Sequence, residues 1–122
     1  MANPMVHWEL AVEDVARARA FYGRVFGWRF DAVSFPGYTL IDTGATPGGG
    51  LMVRPPSSPA PALNTYFRVD DLDSTLVAIR EAGGSVIVPR TEIPGIGWFA
   101  MFLDPDRIPI GILQERPESR AH

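Results

Sequence analysis

No cysteine occurs in the 122 residues, so a disulfide, a thiolate nucleophile and a Cys-bound metal are all excluded. Histidine is nearly as scarce, with only His7 and His122. Asp, Glu, His and Cys are all missing from Thr43 through Val69, so this long stretch offers no metal ligand of the usual kinds. No apolar run approaches the ~18 residues that would suggest a membrane span. Positive charge is neither in excess nor clustered: 11 basic against 14 acidic residues leave a net charge of −3. Nucleic acid and anionic membranes are therefore not expected partners. The opening MANPMVHWEL has no basic region followed by an apolar core, so no signal peptide is expected and a cytoplasmic protein is the default.

What the chain does have is a repeat. Within Val6–Phe30, Trp8–Phe30 aligns without a gap on Thr65–Ile87 at a shift of 57 residues, bringing Val12 onto Val69, Asp14 onto Asp71 and Gly27 onto Gly84. Each copy reads as an alternating strand, an Asp N-cap, a helix, a terminating glycine and further strands. The reading is α+β: one domain over 1–122, made of two βαβββ modules at 5–54 and 64–114 with a Pro-rich linker at 55–63. In the first module, Val6–Val12 is expected as a strand and Val15–Phe26 as a helix carrying Val15, Ala18, Phe21, Tyr22 and Val25 on its apolar stripe. Strands follow over 28–34, 38–42 and 51–54, with a turn at Pro36-Gly37. Gly48-Gly49-Gly50 is either a flexible loop or a place where backbone passes close to something. In the second module, strands are expected over 64–69, 85–88, 98–103 and 108–114, with a helix over 72–82. Pro89–Gly97 reads as a loop that could act as a lid, and the residues from Arg116 as a frayed tail.

Alternation on the first strand puts Trp8, Leu10 and Val12 toward the helix and His7, Glu9 and Ala11 on the opposite face. In the second copy, Thr65, Phe67 and Val69 take the helix side, and Asn64, Tyr66 and Arg68 the other.

The motifs His7-Trp8-Glu9-Leu10, Ala20-Phe21-Tyr22, Phe26-Gly27-Trp28, Val69-Asp70-Asp71-Leu72, Glu81-Ala82-Gly83-Gly84 and Asp104-Pro105-Asp106 span nearly the whole chain. In their order and spacing they resemble the vicinal oxygen chelate superfamily of glyoxalases, bleomycin and fosfomycin resistance proteins and extradiol dioxygenases. The resemblance implies an open, curled mixed sheet around a cleft, with helices on its outer face, and a homodimer in many members. It also implies four ligand positions in metal-using members. Here they fall on His7, the neighbourhood of Gly49–Leu51, Asn64 and Gly111, so His7 is the only retained ligand-position residue. First-row metals need three or four such donors. No metal site and no cofactor are therefore expected. Arg107 stands where relatives usually carry glycine and would have to adopt a turn conformation that glycine tolerates better.

The candidate ligand-binding residues are His7, Glu9, Asn64, Tyr66, Arg68, Phe99 and Met101, the last two placed toward the cleft by analogy with fosfomycin-type relatives. His7 and Glu9 are also the catalytic candidates. His7 is either a binding-site imidazole or a structural histidine. Glu9 is expected to share a polar network with Arg68, or else to be a general acid/base with a raised pKa. The expected function is metal-independent binding of a small, partly aromatic molecule in the cleft between modules. One alternative is a superfamily lyase, isomerase or dioxygenase working through His7 and Glu9. The other is a dimeric scaffold with a closed cleft.

Overall fold

The computed structural model describes residues 2–32, 37–58 and 60–117. Eight strands and two helices follow one another in these residues: β1 (Met5–Val12), α1 (Val15–Phe26), β2 (Arg29–Ala32), β3 (Tyr38–Asp42), β4 (Gly49–Val53), β5 (Ala62–Arg68), α2 (Leu72–Glu81), β6 (Ser85–Ile93), β7 (Gly97–Leu103) and β8 (Pro109–Glu115). The chain divides into two compact units, Val6–Thr65 and the remainder. In the first, β2-β3-β4-β1 lie in that order, with β1 parallel to β4 and the other neighbours antiparallel. In the second, the counterparts β6-β7-β8-β5 repeat the pattern, with β5 parallel to β8. The class is α+β, built of two βαβββ modules.

The repeat extends to local conformation. Asp14 and Asp71 adopt φ/ψ of −138/107° and −137/107°, and each accepts a backbone N–H three residues on, from Arg17 and Ser74. This satisfies a donor that the first helical turn leaves orphaned. Gly27 ends α1 in the left-handed region at φ 69°, and Gly83 follows the end of α2 at φ 97°.

Each helix covers strands of its own unit. Ala18, Ile41 and Leu51 are buried beneath α1, with Trp8, Leu10, Val12, Val15, Tyr22, Trp28 and Phe30 packed around them. Tyr22 stacks on Trp28 with centroids 5.1 Å apart, and Trp8 lies 5.1 Å from Trp28, tilted by 54°. In the second unit Val69, Leu72, Leu76, Ala100 and Ile112 form the core, bordered by Ile79, Val86, Trp98 and Phe102. The α1 stripe is narrower than its spacing predicts: Phe21 and Val25 are exposed, as is Phe26.

Several expectations need correction. The expected lid is strand: β6 continues through Pro89 to Ile93, pairing Thr91, Glu92 and Ile93 with Phe99, Trp98 and Gly97. The register shifts between Val86 and Val88 and between Val88 and Thr91, and such irregularities are where a strand accommodates proline. The connection to β7 shrinks to a tight turn in which Ile96 N–H donates to the Ile93 carbonyl at 3.0 Å. β4 begins at Gly49 and β5 at Ala62, each two residues before the expected start. Arg116 is not frayed: its N–H donates to the Ile96 carbonyl at 2.8 Å. Its guanidinium pairs with Glu92 and lies 4.5 Å over the Trp98 ring, as Arg90 does at 4.7 Å. The turn expected at Pro36-Gly37 falls partly outside the described residues. Arg107 does adopt φ 67°, the one non-glycine residue at positive φ among those described.

Candidate functional site

The sheet face turned away from α1 carries His7. Because Trp8 pairs with Gly49 and Glu9 with Gly50 across β1 and β4, a side chain at Gly50 would point to the same face as Glu9. None is there, and the space is taken. Tyr38 reaches over from β3, so that a Cβ added to Gly50 would collide with its hydroxyl oxygen and ring. That hydroxyl lies 2.5 Å from His7 Nε2, with the two rings at a 30° angle. One residue back, on the other face, Gly49 lies under the indole of Trp8, whose ring carbon would stand 2.6 Å from an added Cβ. Trp8 Nε1–H donates to the Pro47 carbonyl at 3.1 Å. The glycine run is therefore a place of close approach, with an aromatic ring laid across the strand from each side.

Burial lowers the pKa of His7 below its ordinary 6.5, because a desolvated imidazolium is costly. The imidazole is neutral at neutral pH. A groove of about 440 Å³ runs beside it, lined by His7, Asp31, Leu40, Asp42, Thr46 and Gly49 among others. Asp42 also accepts the Gly44 N–H at 2.8 Å.

The second unit repeats the device. The ring of Tyr66 lies against Gly111, where an added Cβ would overlap it, and meets Phe99 edge-on at a centroid distance of 6.3 Å. Met101 pairs with Gly111 in the β7–β8 ladder. Phe99 and Met101 alternate with Trp98, Ala100 and Phe102, which pack on the helix side. Arg68 forms an ion pair with Glu115 on β8 at 3.6 Å. Asn64 is half-buried on β5, as Glu9 is on β1.

Of the sequence candidates, the structure thus brings together Tyr66 and Phe99 and gives His7 and Arg68 partners on other strands. Those partners, Tyr38 and Glu115, went unnoticed in the sequence. Tyr38 could have been found: it shares the parity of Leu40 and Asp42 on β3, opposite to the buried Ile41, and the neighbouring strand opens with a glycine run. Glu115 lay just past the expected end of its strand.

His7 is engaged by a phenol, and the positions at Gly50 and Gly111 are glycines roofed by tyrosines. Among the described residues no three His, Asp or Glu side chains are grouped so as to hold an ion.

Residues 5–44 match the family model described as bleomycin resistance protein-like N-terminal. The protein CFP32 of Mycobacterium bovis, whose name carries the word glyoxylase, is 29% identical over 113 residues, covering 87% of this chain and 43% of that protein. The chain thus spans about two-fifths of the length of this curated relative. A glyoxylase-like domain-containing protein of Didymella fabae is 32% identical over 105 residues, covering 79% of this chain and 81% of its own. Among solved structures, methylmalonyl-CoA epimerase from Mycobacterium tuberculosis superposes with a TM-score of 0.70 at 19% identity, covering 97% of this chain and 91% of the other; at that identity the likeness concerns the fold. With the repeated βαβββ units and the 32% identity over most of both chains to the glyoxylase-like relative, the chain belongs to the glyoxalase/bleomycin resistance/dioxygenase superfamily, the vicinal oxygen chelate proteins.

Proposed function

We propose that this chain is a metal-independent small-molecule-binding member of its superfamily, whose ligand is small and partly aromatic. The observation that carries this reading is the Tyr38 hydroxyl held 2.5 Å from His7 Nε2 above Gly50. The imidazole at the family's ligand position is committed to a phenol, and the neighbouring strand has given up a side chain to admit it. Polar groups set among aromatic and aliphatic side chains are the usual make-up of small-molecule sites. Within the second unit, Tyr66 and Phe99 form an aromatic pair of the same character. The exposed Phe21, Val25 and Phe26 on α1 support assembly as a homodimer.

Binding is favoured over catalysis through His7. A general base must hold the proton it takes, and burial makes His7 poor at that.

A thermal-shift screen against divalent metals and small aromatic compounds tests the reading, since a ligand selective for the native state raises apparent stability. Aromatic compounds are expected to raise Tm and metals to leave it unchanged. Stoichiometric binding of Ni, Zn, Mn or Fe would overturn metal independence and bring the enzyme reading forward.

A further inference from the structure

We propose that helix α1 of one copy docks on helix α2 of a second copy of this chain, through stripes that are apolar at the centre and opposite in charge at the ends. The inference rests on the homodimer proposed above and supplies the surface through which it forms.

α1 carries Arg17, Arg19 and Arg24 and no acidic residue. Arg17, Phe21 and Arg24 stand four and three residues apart, so they line one face of the helix, with Val25 beside them. All four are exposed. The stripe reads cation, apolar, cation. Alongside Phe21 runs a groove of about 290 Å³, with Val12, Ala18 and Pro61 in its lining. It lies wholly within the first unit and has room for an aliphatic side chain.

α2, in the second unit, carries the inverse. Asp73, Val77 and Glu81 follow one another at intervals of four and are likewise exposed, which gives anion, apolar, anion. Asp70 and Asp71 add the same sign at the start of the helix, and Arg80 is its one cation. Asp73 pairs with Arg90 yet keeps 66% of its side chain open to solvent. The 57-residue shift of the repeat brings Arg24 onto Glu81. The two helices are copies in position and opposites in charge.

Like stripes repel. α1 against α1 sets arginines together, and α2 against α2 sets carboxylates together. α1 against α2 satisfies both signs and covers Phe21 with Val77. Charge matching of this kind fixes partner and register more than it adds affinity. Helices of 12 and 10 residues offer less than the ~800 Å² per partner of a standard interface. The association should therefore be weak and concentration-dependent.

The test is an exchange of charge, followed by sedimentation velocity at low ionic strength. The unaltered chain is expected to self-associate as its concentration rises. Arg17→Glu/Arg24→Glu and Asp73→Arg/Glu81→Arg should each stay monomeric over the same range, with circular dichroism verifying the fold. An equimolar mixture of the two should associate again, because each altered helix then meets its opposite on the other chain. Self-association that survives both reversals would overturn the inference and leave a homodimer built on another surface. An unaltered chain that is monomeric throughout would remove both, without touching ligand binding. A second measurement leaves every charge in place. The chain has no cysteine, so Phe21→Cys and Val77→Cys each supply a single thiol. Mixed and mildly oxidised, the two should link into a disulfide-bonded pair, since facing residues come within bridging distance. Linkage of Phe21→Cys to itself in preference to Val77→Cys would overturn the inference.

Discussion

Tyr38 and Gly50 are matched across adjacent antiparallel strands: the tyrosine hydroxyl fills the volume a side chain on the glycine would need. Gly50→Ala must push the ring aside or distort β4, and overpacking of this kind costs about 1–3 kcal/mol. Tyr38→Ala removes the obstacle. In a double-mutant cycle followed by urea denaturation, the two changes together should cost clearly less than the sum of each alone. Additive costs would mean that the residues are not matched.

The pH dependence of stability should carry a signature of His7. Its pKa is lowered in the folded state below 6.5. Between the folded value and 6.5 the unfolded chain therefore holds more protons, so stability rises with pH in that window. The contribution is complete above 6.5, falls away as pH drops below it, and stops changing once the folded pKa is passed. Denaturation midpoints measured across this range should show the decline in the unaltered protein and lose that component in His7→Gln.

Chelation should change nothing. Exhaustive treatment with EDTA is expected to leave Tm and the thermal shift produced by an aromatic ligand where they were. A fall in either, reversed by a single added metal, would contradict metal independence.

Arg107 sits at φ 67° between Asp104-Pro105-Asp106 and β8. A side chain in that region is strained by roughly 1 kcal/mol or more, although Asp104 steadies the turn by accepting N–H bonds from Asp106 and Ile108. Arg107→Gly relieves the strain but loosens the unfolded chain. A net gain of about 0.5–1 kcal/mol is expected by urea denaturation.

Much of the fold was legible because it is governed by local rules. Asp14, the apolar spacing and Gly27 placed α1 at its observed bounds, and alternation with flanking turns placed β3. The misses share a different cause. Pro89 in β6 and Gly49-Gly50 in β4 break local strand rules, and what permits them lies on other strands: the bulged ladder with β7 and the rings of Trp8 and Tyr38. The same holds for the candidate site. The side on which His7 lies could be read from alternation. Its bond to Tyr38 joins residues 31 positions apart, and parity alone does not say that a tyrosine will lean across a neighbouring strand. Phe21 and Val25 had the right period for a buried stripe, but the core beneath α1 is closed by Val15, Ala18 and Tyr22 without them.

The aromatic stack under α1 has an optical consequence. Trp8 and Trp28 stand 5.1 Å apart at an angle of 54°, close enough for their excited states to mix, while Trp98 belongs to the other unit, in contact with two guanidinium groups. Far-ultraviolet circular dichroism should then carry an exciton couplet that belongs to one half of the chain. Replacing Trp98 by phenylalanine would leave a signal that watches that half alone as it melts.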